Sequence, residues 1–183
     1  MRIDLPVGEN DNPYGYAATK LAPEIMGKAA QFSQEVYAKS KLSLREFEGA
    51  RIRTAEINGC MICQDFRAAR DISQTYAGLT KSVADNGESP GEDFYQAAKK
   101  GHSSPLFSKR ESLAIHFAEG FGEAPKELAH DEAFWAEMKA NFTDAEIVDL
   151  AHSVAAWCGL GRVAHVLGLD EVCLSGPLTE AAE

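Results

Sequence analysis

Two cysteines, Cys60 and Cys63, are separated by two residues and follow the helix-breaking Asn-Gly pair at 58–59. This pattern predicts that Cys60 begins a helix, where unpaired backbone N–H groups and the helix dipole favour thiolate over thiol. Cys63 would lie on the same helix face, which Arg67 and Arg70 continue with two positive charges. We therefore expect sulfur atoms that can form a disulfide. The alternative is that both are small buried apolar side chains, since free cysteine is often buried.

Three segments contain Ser or Thr followed three residues later by Glu, a spacing that predicts a capping box at a helix start. They are Ser43/Glu46, Ser108/Glu111 and Thr143/Glu146. The first helix should run to about Ile57 and carry Glu48 among apolar neighbours, pointing toward the cysteines. The next helix should run from about Cys60 to about Tyr76, and the last from 144 to about 167.

The rest of the chain also predicts helices and loops. Residues 1–16 are rich in turn formers and predict an arm whose tyrosines pack against this domain or a neighbouring subunit. Residues 17–40 predict one amphipathic helix, with Pro23 tolerated near its start. Its predicted apolar face carries Leu21, Ile25, Ala29, Phe32 and Val36. Segments 84–91 and 101–107 are predicted loops, and no segment is typical of a strand. We expect an all-α, compact multi-helix bundle of about seven or eight helices, with one domain at 17–174 and a tail at 175–183.

Charge and hydropathy exclude several classes of partner. The 183 residues contain 18 Lys plus Arg and 28 Asp plus Glu, a net charge of −10. That sign opposes capture of nucleic acid or of anionic membrane surfaces. No apolar run approaches a membrane span, and the start lacks a signal-peptide pattern, so we expect a cytoplasmic location. In that reducing compartment the four cysteines should act as thiols rather than as a disulfide framework.

The cysteine region resembles the carboxymuconolactone decarboxylase superfamily, in its alkylhydroperoxidase D-like branch. The redox signature of that branch is Glu, eleven residues, Cys, two residues, Cys, three residues and His; Glu48, Cys60 and Cys63 match it. The similar segments are 44–48, 51–55, 57–66, 107–114, 142–150 and 161–169, and the region that they span covers about two thirds of the chain. The resemblance implies a peroxidase in which the second cysteine attacks a hydroperoxide and the first resolves the sulfenic acid as a disulfide. It also implies a dithiol reductant or redox protein, and a homo-oligomer, either a trimer or a hexamer.

This chain departs from the signature at two positions. Arg67 stands where the branch has histidine, and Ile62 replaces a second histidine. Arginine cannot accept a proton near neutral pH, so the Glu–His proton relay of the branch cannot operate unchanged. Arg67 could hold Cys63 as a thiolate, with Glu48 as its ion-pair partner or as a base. The alternative is a buried Glu48–Arg67 salt bridge whose role is structural alone.

The remaining candidates favour packing over chemistry. Five histidines, at 102, 116, 130, 152 and 165, show no metal-ligand spacing, and no nucleotide-binding motif occurs, so we expect no cofactor. His116 and His152 are predicted core histidines that could also replace the missing relay base. Cys158 is predicted to pack, and Cys173 to be exposed.

Three functions follow from these residues. The first is a thiol-dependent peroxidase or disulfide reductase that uses Cys60 and Cys63. The second is a non-catalytic or repurposed member of the same fold, supported by Arg67. The third is lactone decarboxylation, which depends on histidine-rich pocket residues that this sequence does not show.

Overall fold

The computed structural model describes residues 1–6, 12–76 and 78–170, and this part of the chain contains helices and no strand. Its α-helices are α1 (Pro13–Tyr16), α2 (Pro23–Lys39), α3 (Leu44–Asn58), α4 (Met61–Asp65), α5 (Ala68–Thr75), α6 (Glu92–Lys100), α7 (Lys109–Glu123), α8 (Pro125–Ala129), α9 (Glu132–Asn141) and α10 (Asp144–Leu167). A π-helical turn at Ala17–Leu21 and a 3-10 turn at Val83–Asp85 complete the described helical elements. Seven of the α-helices have eight or more residues, so the predicted all-α bundle is confirmed. The predicted domain end at 174 and the tail at 175–183 lie outside the described residues.

All three predicted capping boxes are confirmed, at the starts of α3, α7 and α10. In each box the hydroxyl accepts the backbone N–H of the glutamate, and the glutamate carboxylate accepts the backbone N–H of the Ser or Thr. Helix α3 ends at Gly59, whose φ of 71° is left-handed and favours glycine. Local sequence therefore determines both ends of the helix that precedes the cysteines.

Helix α3 is the central helix and packs against α6, α7 and α10. Its approach to α7 depends on Gly49, where an added Cβ would lie 3.0 Å from the Ile115 side chain. On the side of α10, the Phe47 and Trp157 rings meet edge to face with centroids 4.6 Å apart. The helix next to the cysteines is therefore fixed in the core on several sides.

Arg110 of α7 joins the starts of α3 and α10. Its guanidinium is 2.5 Å from Glu46 and 2.7 Å from Glu146, the two glutamates of the neighbouring capping boxes. Hydrogen bonds from Arg110 and from Thr143 lower the pKa of Glu146 to about 2. The three capped helices are thus held together by one guanidinium.

The prediction of one amphipathic helix over 17–40 is wrong in two respects: the residue at which the helix begins, and the face of the helix that is buried. Helix α2 begins at Pro23, which occupies its first turn, and a separate π-helical turn precedes it. Leu21, Ile25 and Phe32 are 52%, 76% and 42% exposed. Of this helix only Val36 and Tyr37 are buried, because α10 and the aromatic core cover just its C-terminal end.

The described part of the predicted arm lies against the bundle. The Arg2 N–H donates to the Leu167 carbonyl at 2.9 Å, at the end of α10. Asn12 caps α1 by accepting the Gly15 N–H. Helix α1 brings Tyr14 to the wall of a cavity described below.

Candidate active site

Cys60 and Cys63 form a disulfide at the start of α4, which confirms that their sulfur atoms lie within bonding distance. Cys60 is the N-cap residue of α4 and is fully buried, whereas Cys63 is partly exposed. The single helix predicted from Cys60 to Tyr76 is wrong, because α4 ends at Asp65 and α5 begins at Ala68. Phe66 is extended there, and its ring packs 5.5 Å from that of Tyr37 in the core.

A cavity of about 430 Å³ opens onto Cys63. Its wall is mainly aromatic and aliphatic: Tyr14, Ala30, Tyr37, Ala55, Ile62, Phe66, Tyr76, Ala156, Trp157, Leu160 and Ala164. Cys60 is not part of this wall. Of the two sulfurs, therefore, Cys63 Sγ is the one that a molecule in the cavity would meet.

Polar groups in the same wall lack partners. Asn58 donates from Nδ2 to the Trp157 carbonyl at 2.9 Å. The buried Asn58 Oδ1 and Trp157 Nε1 have no hydrogen-bond partner among the described residues. Gly161 faces both the amide and the disulfide, since an added Cβ there would lie 2.7 Å from Asn58 Nδ2 and 3.7 Å from Cys63 Sγ. Glycine at 161 therefore leaves room beside the sulfur.

Glu48 is fully buried and pairs with Arg51, one helical turn further along α3. Arg51 Nε is 2.5 Å from Oε1 and Nη2 is 3.2 Å from Oε2, a two-point contact. The Tyr95 hydroxyl donates to Oε2 at 2.6 Å. Burial opposes the charge on Arg51, but the Glu48 carboxylate outweighs it and raises the pKa of Arg51. Both oxygens of Glu48 are therefore engaged.

Arg51 also connects this buried pair to the disulfide segment. It donates from Nη1 to the Cys63 carbonyl at 2.7 Å and from Nη2 to the Phe66 carbonyl at 2.6 Å. These bonds satisfy carbonyl groups at the end of α4 that have no partner within so short a helix. Sequence reasoning missed Arg51, although its spacing of three residues from Glu48 on a predicted helix was a usable signal.

The predicted Glu48–Arg67 ion pair is wrong. Arg67 is the N-cap residue of α5, and its Nε and Nη2 lie 2.9 and 3.0 Å from the Glu92 carboxylate. Its Nη1 donates to the carbonyls of Gln64 and Phe66. The break after α4 turns Arg67 away from Glu48, and its guanidinium stacks 4.0 Å above the Tyr95 ring. Tyr95 therefore lies between the two residues.

The two histidines considered as replacement bases lie elsewhere. His116 stacks on His102 at 4.1 Å, and burial lowers the pKa of His116. His152 is exposed and hydrogen-bonds to the Val148 carbonyl. Neither lines the cavity at Cys63. Cys158 is buried and free, as predicted, and burial raises the pKa of its thiol; Cys173 lies outside the described residues.

A different histidine lies beside the disulfide segment. His165 Nδ1 is 3.1 Å from Asp170 Oδ2, and the same oxygen accepts the Met61 N–H at 3.0 Å. His165 Nε2 faces Gly59, where an added Cβ would lie 2.9 Å from it. No spacing pattern could predict this pair, because it lies more than 100 residues after the cysteines.

Neither a metal cluster nor a membrane helix is present in the described part of the chain. Within it, no three His, Cys, Asp or Glu side chains are grouped so that they could hold a metal ion. None of the helices described has both the length and the apolar character needed to cross a membrane.

Comparison with known proteins supports the fold. No protein-family model and no curated protein matches the chain. One similar structure is the crystal structure of a protein of unknown function from Agrobacterium tumefaciens, proposed to be an antioxidant defence protein AhpD. It superimposes on this chain with a TM-score of 0.64. The two sequences are 21% identical, and the match covers 84% of this chain and 92% of the other. The chain thus has the AhpD-like helical fold that its sequence resemblance predicts.

Proposed function

We propose that this protein is a thiol-dependent oxidoreductase of the AhpD type, which cycles Cys60 and Cys63 between dithiol and disulfide. The supporting observation is the asymmetry of the pair: Cys63 opens on an apolar cavity, and Cys60 is fully buried behind it. A buried resolving thiol is protected from side reactions, while an accessible one can meet substrate. The oxidant is a hydroperoxide and the reductant is a dithiol or a dithiol protein.

The cycle has three balanced steps. The Cys63 thiolate attacks the outer oxygen of ROOH, the O–O bond breaks, and ROH leaves after taking up a proton, with sulfenic acid on Cys63. The Cys60 thiol then attacks that sulfur, the S–O bond breaks, and water leaves as the disulfide forms. Finally, an external dithiol reduces the pair through a mixed disulfide and is itself oxidised. The two electrons gained by the peroxide thus come from the external dithiol.

The charges around the site support specific roles. Arg51 binds the Cys63 carbonyl and lines the cavity, so it takes the thiolate-stabilising role that the sequence suggested for Arg67. Glu48 holds Arg51 in place, and Arg67 holds Tyr95 against Glu48. In this proposal the cysteines are catalytic, and Glu48 and Arg67 are positioning residues.

Thiol counting tests the proposal. After reduction, one equivalent of cumene hydroperoxide should remove two thiols from the peptide that contains Cys60 and Cys63, and dithiothreitol should restore both. Cys60→Ser should instead accumulate sulfenic acid on Cys63, whereas Cys63→Ser should not react. Buried Cys158 provides an internal reference in every sample. A reduced pair that survives excess peroxide would exclude the peroxidase.

One observation favours a second candidate, a repurposed fold without peroxidase activity. Ile62 and Arg67 replace the two histidines of the branch, and no histidine is among the described residues that line the cavity. The same cavity gives no support to lactone decarboxylation. A pair that dithiols reduce but hydroperoxides fail to reoxidise would identify this second candidate.

We also propose that the protein acts as a homo-oligomer in the cytoplasm. Apolar side chains remain exposed on two long helices, Ile25 and Phe32 on α2 and Val148, Val163 and Val166 on α10. A second copy that covered them would remove this area from water. Light scattering at micromolar concentration should give a trimer or hexamer mass, and a mass near 19.8 kDa would contradict the proposal.

A further inference from the structure

A buried carboxylate lies against the peptide that joins Cys60 to Met61. Asp170 follows the end of α10, and its side chain is fully buried. Its Oδ2 accepts the Met61 N–H at 3.0 Å, the first N–H of α4. Burial of a carboxylate is costly, so a single backbone N–H is little compensation for its charge.

His165 pairs with this carboxylate and lies against Gly59, the residue before Cys60. Its Nδ1 is 3.1 Å from Asp170 Oδ2, and its Nε2 faces Gly59. The His165 side chain is 49% exposed, whereas that of Asp170 is 0% exposed. The pair therefore runs from the buried Cys60 backbone to solvent.

The second carboxylate oxygen, Oδ1, is unpaired within the described part of the chain. Asp170 Oδ1 is buried and has no hydrogen-bond partner among the described residues. Such groups are rare in folded proteins and call for an explanation. A hydrogen-bond donor such as a neighbouring thiol would remove the penalty.

We propose that Asp170 and His165 carry the proton of Cys60 when the disulfide opens and closes; this inference rests on the proposed function. When an external thiolate attacks Cys63 Sγ, the S–S bond breaks and Cys60 leaves as a thiolate in a buried site. Asp170 supplies the proton, and His165 replaces it from solvent. In the reverse direction Cys60 gives its proton to the pair as it attacks the sulfenic acid on Cys63, and the released hydroxide takes up a proton as water.

The other polar groups near α4 are poorly suited to this task. Glu48 has both oxygens bonded to Arg51 and Tyr95, and a guanidinium does not release its proton. Within residues 1–6, 12–76 and 78–170, the groups that contact the Asp170 carboxylate are the Met61 N–H of α4 and His165 of α10. No further charged side chain of the described residues is hydrogen-bonded or ion-paired to Asp170 or to His165.

The test measures the rate at which dithiothreitol reduces the Cys60–Cys63 disulfide between pH 6 and 9. Asp170→Asn keeps an oxygen for the Met61 N–H but cannot carry the proton, and His165→Gln breaks the exchange with solvent. Matched controls are Asp131→Asn, an N-cap aspartate that accepts the Phe134 N–H, and His152→Gln, an exposed histidine on α10.

We expect Asp170→Asn to slow reduction tenfold or more at pH 6, with the ratio of wild-type to variant rates falling toward one as pH rises. His165→Gln should give the same pH trend, and the double variant should be no slower than Asp170→Asn alone. If Asp170→Asn does not fold, the pH dependence of the reduction rate of His165→Gln decides whether the relay exists.

Two results would overturn the relay. One is a ratio of wild-type to variant reduction rates that does not change with pH. The other is that Asp170→Asn and His165→Gln are reduced as fast as both control variants. A wild-type pair that dithiothreitol cannot reduce, or that peroxide cannot reoxidise, would refute the proposed function instead. A wild-type pair that cycles, with variants that match the controls, would refute the relay alone.

Discussion

Removal of the Arg51 guanidinium should be among the most damaging single changes in this protein. Glu48 and Arg51 have side chains 0% and 3% exposed, so Arg51→Met leaves a carboxylate buried with the Tyr95 hydroxyl as its remaining partner. A stranded buried charge of this kind costs about 3–5 kcal/mol. The free energy of unfolding of a domain of this size is about 5–15 kcal/mol, so the variant should be severely destabilised.

Urea unfolding at pH 7, followed by far-UV circular dichroism, measures the loss. Arg45→Met is the matched control, because Arg45 also lies on α3 and pairs with a glutamate, Glu111, but is 32% exposed. We expect Arg45→Met to lower the free energy of unfolding by about 1 kcal/mol. The double variant Glu48→Met with Arg51→Met removes both charges and should be more stable than Arg51→Met alone.

The refuting results are equally definite. An Arg51→Met protein that loses no more free energy of unfolding than Arg45→Met would show that the buried pair is not a major contributor. A double variant no more stable than the single one would show that the loss comes from the bonds to the Cys63 and Phe66 carbonyls. If Arg51→Met does not fold, Arg51→Lys retains the charge without the two-point contact and allows the same comparison.

Three further predictions follow from the site and its supports. The first concerns the two thiols of the reduced protein, each measured in the variant that lacks the other. Iodoacetamide should alkylate Cys63 in Cys60→Ser at least tenfold faster than Cys60 in Cys63→Ser, because Cys60 is fully buried. Equal rates would contradict the proposed asymmetry. Gly161→Ala should slow alkylation of Cys63 and lower the free energy of unfolding by about 1–3 kcal/mol, since the new methyl group would lie 3.7 Å from Sγ and displace the buried Asn58 amide. Its control, Gly159→Ala, places a methyl group in open space and should be neutral or stabilising. Equal effects of the two changes would refute the crowding at Gly161. Hydrogen bonds hold the pKa of Glu146 at about 2, below its ordinary value of 4.5, so its contribution to stability is complete above pH 4.5 and lost as pH falls toward 2. The free energy of unfolding of wild type and of Glu146→Gln, measured across that pH range, should therefore differ less as the pH falls, and a constant difference would disprove the prediction.

Local patterns in the sequence were enough to place the helices around the cysteines. Each capping box needs just two side chains three residues apart, so neighbouring residues alone specify where α3, α7 and α10 begin. The Asn-Gly turn at 58–59 similarly specifies the end of α3 and places Cys60 at the next helix start. The burial of Glu48 also followed from a local pattern, its apolar neighbours on one helix face.

The break between α4 and α5 could not be predicted in this way, because distant residues cause it. Phe66 leaves the helix to pack on Tyr37, and Arg51 binds the carbonyls that the break exposes. Residues 60–76 contain neither Gly nor Pro, so local propensity predicts no break there, and tertiary packing causes it. The partner of Arg67, Glu92, lies 25 residues away on α6, a distance over which sequence spacing carries no information.

The positions of the titratable groups explain how this site, without the histidines of the branch that it resembles, could still transfer protons. Around Cys63 the cation is Arg51, whose fixed charge favours a thiolate but cannot donate or accept a proton. In the relay that we propose, the groups that exchange a proton lie at the other end of the motif, where Asp170 accepts the Met61 N–H and His165 lies against Gly59. Thiolate stabilisation would then belong to the attacking cysteine and proton transfer to the resolving one. Replacing Ile62 by histidine should therefore change the reactivity of Cys63 and leave the Asp170-dependent step at Cys60 intact.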